Sequence, residues 1–199
     1  MKYIKKFKTN KTLATLLILT IISFILGILF IAILDDSNKV IITKSITNFF
    51  KCISKNNLNY QNAITTSLLN NIIVNLLVWI LGISIIGLPI VTMIQMIKTF
   101  ILSFSMTSII YTYSLKGIIP CIIYIIPHII NLFITFVMVY YSINFSVLLW
   151  NYLFRKKDYN RKVIVKRYLK VLIFTTVTLI ISSLIEIFLI PSILKFLIG

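Results

Sequence analysis

The sequence contains very few acidic residues. Of its 199 residues only four are Asp or Glu, against 20 Lys and Arg, and it has one His and two Cys. Cys52 and Cys121 are too few for a disulfide framework, and the residues around them lack metal-ligand spacing. Because so few groups remain for acid–base or nucleophilic catalysis, we predict that the protein is not an enzyme and needs neither a metal ion nor another cofactor.

Glycine and proline are also scarce, with five and four residues respectively. The chain has no linker rich in Pro, Gly or Ser, and no internal repeat is evident. Such linkers are where domain boundaries usually fall. We therefore predict a single domain over residues 1–199.

Apolar residues, by contrast, make up 59% of the chain, and the mean hydropathy is +1.04. Soluble domains are usually about 45–50% apolar. The apolar residues form long runs with few or no charges, and about 20 such residues span a hydrocarbon core. The sequence thus predicts an all-α, polytopic integral membrane helical bundle with about five transmembrane helices in contact with membrane lipids. The net charge of +16 comes from cations between the runs, so we expect no nucleic-acid partner.

The predicted spans are residues 13–34, 72–97, 99–115, 118–154 and 171–190, with an outer segment at 35–71. The first run is longer than the apolar core of a signal peptide, so we interpret it as an uncleaved span. Residues 118–154 are assigned one net crossing, with either a re-entrant or kinked part before Pro127 or a helix that runs past the membrane towards Arg155. Pro191 is expected to end the last span.

The distribution of Lys and Arg predicts the orientation. Five lysines precede the first span and eight cations lie at 155–170, so both regions should be cytoplasmic. This places the N-terminus in the cytoplasm, the outer segment outside the membrane and the C-terminus outside.

The outer segment contains one helical face, formed by Ile42, Ile46, Phe49, Phe50 and Ile53. Lys44, Lys51 and Lys55 lie mostly off that face. Two interpretations remain open: a short helix resting on the membrane surface, or a helix packed against the rim of the bundle.

Several residues in the spans are expected to set helix breaks and close packing. Gly82 and Gly87 allow close backbone approach, Pro89 predicts a break near positions 87–89, and a second broken or re-entrant piece is predicted near Pro127. Lys98 stands between the second and third predicted spans, where its ammonium must reach the surface or find a partner.

Two ionisable residues, His128 and Glu186, lie in predicted spans and form a possible intramembrane polar pair. An ionisable group within a membrane segment indicates function by default. The alternative is that Glu186 extends to the outer interface.

Residues 67–133 resemble stage II sporulation protein M of endospore-forming bacteria, and the wider match covers about 13–150. The resemblance rests on a first span near the N-terminus, a short outer segment, and a series of positions: Gly82, Gly87, Pro89, Lys98, Lys116, Gly117, Pro127 and His128. Broader members of that family often have Pro-His-Gly followed by a glutamate. Here Ile129 replaces the glycine and Leu132 stands where the acid would be.

The resemblance implies a non-enzymatic membrane scaffold for engulfment of the forespore. Its implied partners are the cell-wall hydrolases of the stage II sporulation D and P type, which would be recruited for peptidoglycan remodelling. The implied location is the bacterial cell membrane, at the septum or around the forespore. A competing hypothesis is a membrane subunit of a transporter or permease, with Asn75, Gln95, His128, Asn131 and Glu186 lining a solute path.

Overall fold

The computed structural model describes residues 2–55, 59–155 and 161–198, and every regular element in those ranges is helical. The predicted all-α membrane bundle is confirmed. These described ranges contain eight α-helices: α1 (Lys2–Ile33), α2 (Asp36–Ser54), α3 (Tyr60–Ala63), α4 (Asn70–Leu81), α5 (Gly87–Tyr113), α6 (Ile118–Arg155), α7 (Arg161–Leu184) and α8 (Ile190–Ile198). Two π-helical segments, Ile64–Leu69 and Ile185–Leu189, join α3 to α4 and α7 to α8.

Four continuous stretches of the described residues are long and apolar enough to cross a membrane: Lys11–Ile33, Tyr60–Leu81, Gly87–Phe154 and Lys162–Phe196. The third stretch has 68 residues and comprises α5 and α6, which a single 3₁₀ turn at Ser114–Gly117 separates. The described residues therefore contain four to five helices that are long and apolar enough to span a membrane. The single domain and the membrane limits of each span stay predictions.

Helix α1 packs along α5 through small residues. Gly27 is buried, and a Cβ atom there would lie 2.6 Å from the Phe100 carbonyl oxygen. One turn earlier, the Ser23 hydroxyl donates a hydrogen bond to the Met96 carbonyl of α5. Small residues let membrane helices approach closely, and backbone-directed hydrogen bonds then add to the packing.

The predicted helix break near positions 87–89 is present, whereas the predicted joint at Lys98 is wrong. The turn lies at 82–86, and α5 then continues through Lys98 to Tyr113. Pro89 falls in the first turn of α5, where its missing N–H leaves no hydrogen bond unmade. Of the two alternatives predicted for the Lys98 ammonium, the structure shows the second, because it finds hydrogen-bond partners inside the bundle.

The predicted broken or re-entrant piece near Pro127 is also wrong, because α6 passes through this proline as one 38-residue helix. A proline is tolerated within a membrane helix where neighbouring helices support the backbone. The Ser182 hydroxyl of α7 donates to the Pro127 carbonyl at 3.3 Å, so α7 contacts the backbone of α6 at this proline. The helix is about 57 Å long at 1.5 Å per residue. This length fits the alternative prediction of a helix that continues towards Arg155.

Pro191 does not end the last helical stretch, contrary to the prediction. It is the second residue of α8, directly after the π-helical segment Ile185–Leu189. Proline disrupts an α-helix mainly by its contact with the carbonyl four residues earlier. The wider π-helical turn precedes the proline, and the chain continues as helix to Ile198.

Helix α2 packs against the end of the bundle, which favours the second of the two interpretations of its apolar face. Phe50 and Ile53 are 4% and 1% exposed and join a core cluster with residues of α5, α6 and α8. Ile46 packs against the same cluster. Lys44, Lys51 and Lys55 remain exposed on the opposite side of the helix.

A second core cluster joins α1, α4, α5, α6 and α7 around Tyr168. The Tyr168 ring stacks on Phe145 at 4.1 Å between ring centroids, and its hydroxyl donates to the Trp79 carbonyl at 2.8 Å. Gly82 is buried at this point, and a Cβ atom there would overlap the Tyr168 hydroxyl. The end of α4 is therefore fixed against α6 and α7.

Candidate functional site: a polar cavity inside the helical bundle

A polar cavity of about 350 Å³ lies among α4, α5, α6 and the two π-helical segments. We call it the central cavity, and its main polar side chains are those of Asn71, Lys98, Tyr124, His128, Asn131 and Glu186. Polar groups inside a membrane bundle are costly unless they are paired, so such a cluster indicates a role other than packing.

Regular helical spacing brings three of these side chains to one wall. Tyr124, His128 and Asn131 stand at i, i+4 and i+7 of α6, which is a single helical face. The Tyr124 and His128 rings are in contact, with centroids 4.4 Å apart. The same spacing is visible in the sequence, where it adds Tyr124 to the two residues predicted to lie inside the membrane, His128 and Asn131.

Both π-helical segments contribute to the cavity. The first provides Thr66 and Ser67, and the second provides Glu186. π-helical turns inside α-helices occur frequently at functional sites, because the extra residue redirects side chains. The sequence offers no simple signal for these turns.

The structure brings the predicted pair His128 and Glu186 together. Their closest atoms, His128 Nε2 and Glu186 Oε1, are 3.9 Å apart, which is too far for a direct hydrogen bond. The other carboxylate oxygen, Oε2, accepts a hydrogen bond from Asn131 Nδ2 at 3.2 Å. Glu186 is thus directed into the bundle and does not extend to the outer interface.

Lys98 is held on another side of the cavity by neutral groups. Its ammonium donates to Asn71 Oδ1 and to Thr135 Oγ1, both at 3.2 Å. Asn71 in turn donates to the Ser183 hydroxyl at 3.2 Å, and Thr135 donates to the Asn131 carbonyl at 2.9 Å. Lys98 is therefore connected to the rest of the cavity through hydrogen bonds, with no carboxylate within 4 Å among the described residues.

Two polar residues that the transport hypothesis placed on a solute path lie elsewhere. Asn75 donates to Thr175 and Thr176 at 3.1 and 3.0 Å, so it joins α4 to α7. Gln95 is 2% exposed and is not part of the cavity lining. Of the five proposed path residues, His128, Asn131 and Glu186 line the cavity.

Of the residues predicted to set breaks and packing, only Lys98 lines the cavity; the others, Gly82, Gly87, Pro89, Gly117 and Pro127, are absent from the lining. Gly87 begins α5 and Gly117 ends the 3₁₀ turn before α6, and both are buried. Pro127 is buried beside α7. Within the residues described, no group of three or more His, Cys, Asp or Glu side chains is arranged to hold a metal ion. The arrangement presents one amine, one carboxylate, one imidazole and several amides and hydroxyls, which suit the binding of charged and polar groups.

A comparison with protein families assigns the chain to a known family. The sequence profile described as stage II sporulation protein M matches residues 16–191, nearly the whole chain. The chain belongs to this family. It is therefore a sporulation-related membrane protein. No curated protein and no solved structure matches the chain.

Proposed function

We propose that this member of the stage II sporulation protein M family is a non-enzymatic membrane scaffold. In this proposal it recruits peptidoglycan-degrading enzymes of the stage II sporulation D and P type to the septal membrane, where they act in engulfment of the forespore. A scaffold needs only weak contacts with each partner, since holding all of them in one membrane raises their local concentration.

The observation that carries the proposal is the position of α2. Its apolar face is buried against α5, α6 and α8, which fixes the helix on one end of the bundle. The exposed face carries Lys44, Lys51 and Lys55 at intervals of seven and four residues. A rigid, basic surface of this kind suits contact with the acidic surface of a partner protein.

Two polar residues of the bundle, Asn75 and Gln95, argue against transport through it. Asn75 holds α4 to α7 by hydrogen bonds, and Gln95 is buried away from the central cavity. The polar groups thus form one local cavity, whereas a carrier needs a path that can be reached from both sides of the membrane.

The experiment is to replace Lys44, Lys51 and Lys55 by Gln in the host and to follow fluorescent fusions of the D-type and P-type hydrolases during sporulation. We expect the triple variant to remain in the membrane at its normal level while the hydrolases no longer concentrate at the septum. The matched control replaces the exposed lysines 162, 166 and 170 of α7 by Gln, and this variant should recruit normally. Normal recruitment by the α2 variant would contradict the proposal.

A further inference from the structure

The central cavity holds one positive and one negative group that do not pair with each other. The Lys98 ammonium donates to Asn71 and Thr135, and the Glu186 carboxylate accepts from Asn131. Among the described residues, the only cation within 4 Å of Glu186 is His128, which carries a charge only when protonated. Separated charges are expensive inside a membrane protein, so a partner that neutralises both would stabilise the bundle.

Three residues of the cavity lining, Ser67, His128 and Asn131, carry a buried polar atom without a hydrogen-bond partner; other such atoms lie elsewhere in the bundle, on Asn75, Trp79, Gln95 and Ser146. Asn131 is 5% exposed, and its Oδ1 atom has no hydrogen-bond partner, although its amide nitrogen is bound to Glu186. The Ser67 hydroxyl, also in the lining, has no partner either. Buried polar atoms in native proteins are almost always hydrogen-bonded, and the exceptions call for an explanation such as a ligand.

The cavity is large enough for a small molecule and is accessible from outside the bundle. Its volume of about 350 Å³ falls in the range of ligand pockets. Three residues of its lining, Thr66, Asn70 and Ile101, are exposed. Thr66 and Asn70 belong to the first π-helical segment and α4, and Ile101 belongs to α5, so the cavity opens on the side where these elements meet. Ile101 is 55% exposed and lies within the long apolar stretch Gly87–Phe154. The opening therefore borders a stretch that is long and apolar enough to cross a membrane.

We propose that the central cavity binds a zwitterion that carries an anionic group and a primary ammonium group. The anionic group, a phosphate or a carboxylate, contacts the Lys98 ammonium. The primary ammonium contacts the Glu186 carboxylate and donates to Asn131 Oδ1. Charge-assisted hydrogen bonds of this kind are roughly twice as strong as neutral ones. Two sources supply this chemistry: the head group of an aminophospholipid that enters sideways, or a free amino acid.

The site does not depend on the proposed scaffold function, and its test uses the purified full-length protein without its partners. The protein is delipidated in detergent, and native mass spectrometry measures the retention of phosphatidylethanolamine, phosphatidylglycerol and phosphatidylcholine with matched acyl chains. Phosphatidylglycerol lacks the amine, and phosphatidylcholine has a quaternary ammonium that cannot donate a hydrogen bond. Titration calorimetry with L-alanine tests the free amino acid.

A preference of about tenfold or more for phosphatidylethanolamine over both other lipids would support the lipid source. Saturable binding of alanine with no lipid preference would support the free amino acid. If phosphatidylethanolamine is not preferred and alanine does not bind saturably, the proposal is overturned. This comparison uses the unsubstituted protein alone.

Substitutions then locate the site. Lys98→Met and Glu186→Gln should each reduce the preferred ligand's retention at least about tenfold, whereas the controls Lys116→Met and Asp36→Asn, at exposed positions, should not. Glu186→Gln should also reduce the discrimination between phosphatidylethanolamine and phosphatidylcholine, which a general loss of structure would not do selectively. Unchanged retention in folded Lys98→Met and Glu186→Gln proteins would assign the binding to another surface and overturn the proposal.

Discussion

Enlarging Gly27 should separate α1 from α5 and destabilise the bundle. In Gly27→Ala the new methyl group would lie 2.6 Å from the Phe100 carbonyl oxygen and 3.2 Å from the Phe104 nitrogen, and it would overlap the Ser103 hydroxyl. Two of these three atoms belong to the α5 backbone, which cannot rotate away as a side chain can. The two helices must therefore move apart locally.

The size of the effect follows from two destabilising contributions and one stabilising contribution. Overpacking a well-packed interface costs about 1–3 kcal/mol. Replacing Gly by Ala within a helix returns roughly 0.5–1 kcal/mol through the lower conformational entropy of the unfolded chain. Moving α1 also weakens the hydrogen bond from Ser23 to Met96, and such bonds in membrane proteins average about 0.6 kcal/mol. The net loss in the free energy of unfolding should be about 1–2 kcal/mol for Gly27→Ala and larger for Gly27→Val.

The free energy of unfolding can be measured by titrating the detergent-solubilised protein with SDS. In a Cys52→Ser background, Cys121 is the only thiol, and it is 2% exposed, so its reaction with a maleimide reports unfolding. The matched control is Ala32→Val, which enlarges an exposed position of the same helix. The reasoning is refuted if Gly27→Ala is stabilising and Gly27→Val is no worse than the control.

Three further changes test the packing and the topology. Tyr168→Phe removes a buried hydroxyl that bonds to α4 and α6 and should lower the free energy of unfolding by about 1 kcal/mol, whereas Tyr111→Phe, at a 52% exposed position, should have no effect in the same SDS titration. Asn75→Ala should cost about 1–2 kcal/mol, and a double-mutant cycle with its threonine partners should show coupling; additive effects would exclude the hydrogen-bonded link. In intact cells stripped of their wall, a membrane-impermeant maleimide should label Cys52, while Ser84→Cys in the Cys52→Ser background should react only after permeabilisation. The opposite pattern would invert the predicted orientation.

Features set by local periodicity could be predicted from the sequence. The apolar face of α2 is visible as helical spacing, and Phe50 and Ile53 are buried as that spacing requires. The break before Pro89 follows from the properties of proline and glycine. The first long apolar run likewise corresponds to a stretch capable of crossing the membrane, Lys11–Ile33.

Features set by long-range contacts could not be predicted. The sequence predicts Lys98 between two spans, with an ammonium that either reaches the surface or finds a partner, but it does not identify that partner. Its partners Asn71 and Thr135 are 27 and 37 residues away in the chain, and nothing local to Lys98 indicates them. The sequence identified both His128 and Glu186, but the approach of their side chains to 3.9 Å depends on the packing of α6 against the second π-helical segment. Similarly, the contact of Pro127 within α6 is with Ser182 of α7, which is 55 residues away in the chain.

The proposed role in engulfment is tested most directly by deleting the gene in its host and imaging sporulating cells with a membrane dye. If the protein is the scaffold for septal peptidoglycan remodelling, the asymmetric septum should form but fail to curve around the forespore, and the intact gene supplied in trans should restore engulfment. Normal engulfment in the deletion strain would contradict the scaffold function.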